Sequence, residues 1–242
     1  MPVYRTNPTA DANGYCLGIL LLDVRQTFVP GDVGNASTYD YPVLYRTVPG
    51  ADRNVLRGDP ELNDAVVETA EGLEAQGVKG ISSDCGFFIH YQDVVREAVG
   101  VPVGLSSLLQ LPLLSSFIGR DRPLGVITAS SRALGNRVLE LTGVEPERRI
   151  VIRGMLDEPY WIEAFKNPAD EVDTDRIEAL IVAKAREIVE EAPNLGAMLL
   201  ECSLMPPYAR AVQDAIGLPV YDFKTMIDFV HRATHRHAGH RH

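Results

Sequence analysis

Gly80-Ile81-Ser82-Ser83-Asp84-Cys85-Gly86 is a short apolar run that ends in an acid and a thiol and leads into a helix-like pattern. The same plan recurs at Gly196-Ala197-Met198-Leu199-Leu200-Glu201-Cys202-Ser203. The offset that separates the two cysteines also aligns Tyr91 with Tyr208, Val95 with Val212, Ala98 with Ala215, Gly100 with Gly217, Pro102 with Pro219 and Val103 with Val220. The chain therefore reads as two like halves, each presenting one cysteine at the carboxyl end of a strand.

Working outward, residues 1–14 are polar and rich in turn formers and read as a loose leader. Cys16 to Asp23 is a continuous apolar run suited to a strand buried on both faces, with Cys16 as a small structural hydrophobe. From Val24 to Gly58 the chain is studded with Pro and Gly, and only Val43 to Val48 reads as a strand. A loop of that length after a first strand is where a lid or substrate-contacting segment would lie. Asp59-Pro60 opens a helix whose apolar residues Leu62, Val66, Ala70 and Leu73 share one face. The strand Val78 to Ser82, a helix to about Val99, the strand Val101 to Val103 and a helical Leu108 to Ile118 complete the half.

Gly119-Arg120-Asp121-Arg122-Pro123 is the polar break between the halves. Strands are expected at Leu124 to Thr128, Arg149 to Met155, up to Glu201, and at Pro219 to Tyr221. Helices are expected to Leu141, over Thr174 to Ala192, Pro206 to Ile216 and Phe223 to Thr234, with an irregular or short helical insert from Asp157 to Pro168. Alternation of this kind predicts an α/β fold of two pseudo-symmetric three-layer halves with mainly parallel sheets and a site in the cleft between them. The halves are 15–118 and 119–222, with a C-terminal helix at 223–236 that can pack back onto the first half, and a His-rich tail at 237–242.

The 242 residues are 45% hydrophobic and 23% charged, the profile of a globular protein, with a net charge of −10. That charge argues against a phosphate-backbone partner, so no nucleic acid is expected. No signal core and no long apolar span is present, so the expected protein is cytoplasmic, without a membrane partner. Three cysteines without CxxC spacing fit free thiols rather than a disulfide framework or a zinc site. No metal is expected, and the tail reads as frayed rather than metal-binding. No GxGxxG and no GxxxxGK[ST] occurs, and His90 alone of six histidines lies in the body of the chain, a poor basis for a hydrolase triad.

A thiol between a strand and a helix start is placed for the helix N-terminus to lower its pKa from about 8.5 towards neutrality. Two such thiols across one cleft, Cys85 and Cys202, can remove a proton from one face of a carbon and return one to the other. Backbone N–H groups of Gly86, Phe87, Ser203 and Leu204 are placed to stabilise an enolate-like oxygen. Thr128, Ser130 and Ser131 follow a strand and suit a carboxylate, or are ordinary caps. Asp23 and Arg25 suit a substrate amine and carboxylate, or are solvated charges. Asp84 and Glu201 would raise a neighbouring thiol's pKa, so they are expected to point away, to contact the substrate, or to act as caps.

The motifs Asp84-Cys85-Gly86 and Glu201-Cys202-Ser203, with Asp23 after the first strand and Thr128-Ala129-Ser130-Ser131 opening the second half, resemble the aspartate/glutamate/hydantoin racemase superfamily over nearly the whole chain beyond residue 14. The resemblance implies a cofactor-independent isomerase that racemises an amino acid or hydantoin-like derivative through Cys85 and Cys202. Asp23, Gly86, Phe87, Thr128, Ser130 and Ser203 would then contact a small-molecule substrate, in a possible homo-oligomer. A same-fold isomerase or decarboxylase using one cysteine, and a two-lobed binding protein without turnover, are the alternatives.

Overall fold

The structure is a computed structural model that describes residues 6–166 and 171–235. The His-rich tail, residue 236 and the end of the 157–168 insert lie outside the described residues.

In strand β1 (Leu17–Leu21), Leu17, Ile19 and Leu20 are completely covered, as a central parallel strand requires. It pairs with β2 (Val43–Thr47) on one side and β3 (Ile81–Ser83) on the other, and β3 pairs with β4 (Val103–Gly104), all parallel. The second sheet repeats the order. Strand β5 (Leu124–Thr128) lies between β6 (Ile150–Gly154) and β7 (Ala197–Leu200), and β7 pairs with β8 (Val220–Tyr221). The orders β2-β1-β3-β4 and β6-β5-β7-β8 are one pattern used twice. The fold is thus the expected pair of pseudo-symmetric parallel α/β halves.

Helices α1 (Asn63–Ala75), α2 (Gln92–Ala98) and α3 (Leu111–Phe117) belong to the first half. Helices α4 (Asn136–Thr142), α5 (Pro159–Lys166), α6 (Thr174–Glu191) and α7 (Ala209–Ile216) belong to the second. Helix α6 shows how pattern becomes packing: Ile177, Ile181, Ala185 and Ile188 are buried along one stripe, and the Asp173 carboxylate caps the start by accepting the Arg176 N–H. Helix α8 (Phe223–Thr234) begins with a reciprocal box between Asp222 and Thr225. It then crosses back, placing Phe223, Met226 and Ile227 in one apolar cluster with Cys16, Leu17 and Ile19 of the first sheet.

Two local expectations change. The leader is not loose over its described part, because the Asn7 amide and Thr9 hydroxyl donate to the Ala75 carbonyl, and the Gln76 amide donates to the Thr9 carbonyl. The first two bonds satisfy a carbonyl that the helix C-terminus leaves open, and the third ties the helix end back to the leader. The segment after Cys85 starts as a tighter 3-10 turn, Gly86–Tyr91, before α2. Three-residue spacing brings Phe88 and Tyr91 into line, and their rings meet edge-on at 5.9 Å while both stay buried.

Reciprocal bonds join the halves at the site. Ser107 Oγ donates to the Glu201 carbonyl at 3.0 Å, and Ser203 Oγ donates to the Asp84 carbonyl. The long loop contributes too, since the Val33 N–H donates to the Ser203 carbonyl at 3.3 Å.

Candidate active site

Strands β3 and β7 occupy equivalent places, and both end at an acid followed by a cysteine. Between the two ends lies a cavity of about 440 Å³ lined by Asp84, Cys85, Glu201 and Cys202. Gly86, Phe87, Ser130 and Ser203 line it as well, so six of the eight residues that the resemblance assigns to catalysis or substrate contact meet there. The rest of the wall is mostly apolar, with Val55 and Leu56 from the long loop and Trp161, Ile162 and Phe165 from α5.

The remaining two are placed elsewhere. Asp23 is exposed and accepts the Gly50 N–H at 3.0 Å, holding a turn whose glycine has φ +76°. It is not among the residues that line the cavity, although its neighbour Leu22 is. Thr128 is fully buried behind the wall, and its hydroxyl donates to Glu201 Oε2 at 2.7 Å. Thr128 therefore orients an acid rather than a substrate. Ser203 lines the cavity, but its hydroxyl is committed to the Asp84 carbonyl.

The two acids do more than cap strands. Asp84 Oδ1 accepts the Leu22 N–H at 2.9 Å, and Glu201 Oε2 also accepts the Ala129 N–H at 3.2 Å. The second oxygen of each, Asp84 Oδ2 and Glu201 Oε1, is buried without a hydrogen-bond partner among the described residues. Burial pushes both carboxyls up to about 7, against the pull of the N–H and hydroxyl donors. An incompletely satisfied buried acid is costly, which makes a donor or cation arriving in the cavity its natural complement.

The thiols differ from expectation. Burial pushes Cys85 well above the usual cysteine range, and the Glu201 and Asp84 charges push it further, against the N–H groups of Phe87 and Phe88. Cys202 is raised by burial and then by Glu201, with the Leu204 N–H opposing. The helix-start donors are present, but desolvation and two acids outweigh them, so neither thiol is a resting thiolate.

Sequence pattern alone did not single out Arg132 or Trp161. Arg132 is exposed at the cavity, beside Ser130 and Ser131, and among the described residues is the one cationic side chain lining it. Trp161 is the single tryptophan of the chain and carries no local motif.

No family model matches the chain. Among solved structures, unliganded arylmalonate decarboxylase aligns over 94% of both chains with a TM-score of 0.61 at 19% identity. Allantoin racemase from Pseudomonas fluorescens aligns over 89% of both chains with a TM-score of 0.61 at 16% identity. The chain thus has the fold of the aspartate/glutamate/hydantoin racemase superfamily, with a thiol and a buried acid from each half at one cavity.

Curated relatives narrow the class. Dimethylsulfoniopropionate lyase from Durusdinium sp. clade D is 36% identical over 223 residues, 88% of this chain and 73% of the relative. Dimethylsulfoniopropionate lyase 7 from Emiliania huxleyi is 36% identical over 217 residues, 85% of this chain and 63% of the relative. The chain belongs to the dimethylsulfoniopropionate lyase family. It is an enzyme, as the sequence led one to expect, but the expected amino-acid racemase is overturned by these relatives, which are named as lyases. The error has a physical root: a pair of thiols on this fold can serve more than one proton-transfer reaction, and fold does not choose among them.

Proposed function

We propose that the chain is a lyase that splits dimethylsulfoniopropionate into dimethyl sulfide and acrylate by β-elimination. The observation that carries the reading is the pair of buried acids, Asp84 and Glu201, each with an unpartnered oxygen, in the cavity that also holds Cys85 and Cys202. The substrate is a zwitterion with a sulfonium cation at one end and a carboxylate at the other. Its cation would offset the negative charge of the acids, and the rings of Phe87, Trp161 and Phe165 suit a cation wrapped in methyl groups. Its carboxylate fits Arg132 with the polar turn Ser130-Ser131.

The resting thiols are protonated because acids and burial disfavour thiolate. A bound sulfonium opposes that balance, since a positive charge nearby lowers the pKa of a thiol, and the proton the thiol gives up passes to solvent. One cysteine thiolate then takes the α-proton beside the carboxylate. The C–H electron pair becomes the Cα–Cβ double bond, the Cβ–S bond breaks, and its electrons leave on sulfur as neutral dimethyl sulfide. Acrylate remains, and the proton stays on the thiol until solvent removes it. In this reading the division into 15–118 and 119–222 has a chemical sense, because each half supplies one thiol and one acid.

Headspace gas chromatography of the protein incubated with dimethylsulfoniopropionate tests the assignment. Dimethyl sulfide release proportional to protein supports it, and a folded protein that releases none refutes it.

A further inference from the structure

Cys16, a small structural hydrophobe by its place in an apolar run, is brought by the fold against α8, a helix from the far end of the chain. Cys16 directly precedes β1 and is only 8% exposed. His231 and His235 lie one turn apart at the end of α8, so both rings leave the same helix face. The Cys16 Sγ and the nearest nitrogens of the two rings all lie within 4.8 Å of one another. A tetrahedral zinc bound to one sulfur at about 2.3 Å and two nitrogens at about 2.0 Å spaces its ligands by roughly 3.5 Å. A closure of about 1 Å in side chains at a helix end would meet that geometry.

We propose that Cys16, His231 and His235 form a site for a transition-metal cation of the zinc or cobalt type. One thiolate and two imidazoles are the donor set such borderline ions prefer over oxygen-seeking calcium or magnesium. The surroundings orient the rings. Tyr41 stacks on His231 at 3.6 Å with an interplanar angle of 10°, and its hydroxyl donates to Asp228 at 2.8 Å. Thr234 Oγ1 sits 3.0 Å from His235 Nδ1 and fixes the orientation of that ring. A surface depression of about 440 Å³ opens on the two histidines, with the buried thiol on the inner side. Of the charged groups there, Lys224 is held by Asp228 at 2.6 Å, and Asp40 and Arg232 face the same depression. Because α8 follows the last strand of the second sheet and packs on the first, a metal at this point would tie that helix to the start of β1.

The test uses the full chain carrying His237→Ala, His240→Ala and His242→Ala, which keeps the tail histidines out of the measurement. Titration with cobalt(II) should give one equivalent of binding, a thiolate-to-cobalt charge-transfer band and visible bands of tetrahedral strength. Cys16→Ser should remove the charge-transfer band, and His235→Ala, at a half-buried position, should weaken binding at least tenfold without unfolding the chain. Cys85→Ser and Cys202→Ser should leave the spectrum unchanged. Absence of a thiolate band, its survival in Cys16→Ser, or its loss in Cys85→Ser or Cys202→Ser would overturn the proposal.

Discussion

The carboxylate of Glu201 occupies the space in which residue 86 would otherwise carry a side chain. A β-carbon on Gly86 would lie 1.7 Å from Glu201 Oε1 and 2.9 Å from the Glu201 carbonyl oxygen. The acid beside one cysteine is thereby seated against the residue that follows the other, and the two thiol-bearing turns cannot be altered independently. Gly86→Ala should push Glu201 aside, lowering stability by about 1–3 kcal/mol through overpacking. The larger effect should fall on kcat/KM for dimethyl sulfide release, followed alongside thermal unfolding.

Glu201 and Asp84 link stability to pH. In the folded chain both keep their protons up to about pH 7, whereas ordinary carboxyls in the unfolded chain release them near pH 4. The folded state therefore holds more protons between those values, and stability contributed by these groups is present at low pH and lost as pH rises from about 4 to 7. Glu201→Gln should stabilise the substrate-free protein at pH 8 by on the order of 3 kcal/mol, and the gain should vanish towards pH 4. Denaturant unfolding at the two pH values measures it.

The same substitution should move the pH dependence of catalysis. Thiols raised by burial and by Glu201 place the rising limb of kcat/KM on the alkaline side of neutrality. Removing the Glu201 charge should shift that limb to lower pH while raising KM, because one counter-charge to the sulfonium is gone. A limb that does not move would separate Glu201 from the thiols.

Arg132 is exposed, so its loss should not disturb folding. Arg132→Ala should raise KM for dimethylsulfoniopropionate about tenfold, the loss of roughly 1.4 kcal/mol of binding, with kcat little changed. An unchanged KM would remove Arg132 from the substrate carboxylate.

Much of the architecture was legible because it is written locally. The apolar runs at Leu17–Leu21 and Leu124–Thr128, the stripe of α6 and the repeated acid-cysteine junction are patterns of neighbouring residues, and each became the element expected. What could not be read depends on partners far along the chain. Asp23 and Thr128 look alike as polar residues after strands, yet one turns out to a glycine turn and the other in to Glu201. Whether Glu201 points away or faces the cavity is decided by the space at Gly86, which belongs to the other half. The resting state of the thiols followed suit, since no local pattern announces how deeply a strand end is buried. Trp161 and Arg132 reach the cavity from segments without a motif.

The central claim is that a cysteine thiolate in this cavity drives β-elimination. Proton NMR of dimethylsulfoniopropionate with wild type, Cys85→Ser and Cys202→Ser follows substrate and both products together. The account predicts acrylate and dimethyl sulfide in equal amounts from wild type, and a fall in kcat of at least about 100-fold in one or both variants, the usual contribution of a positioned base. Full activity in both variants, or dimethyl sulfide formed with a hydroxy acid in place of acrylate, would contradict it.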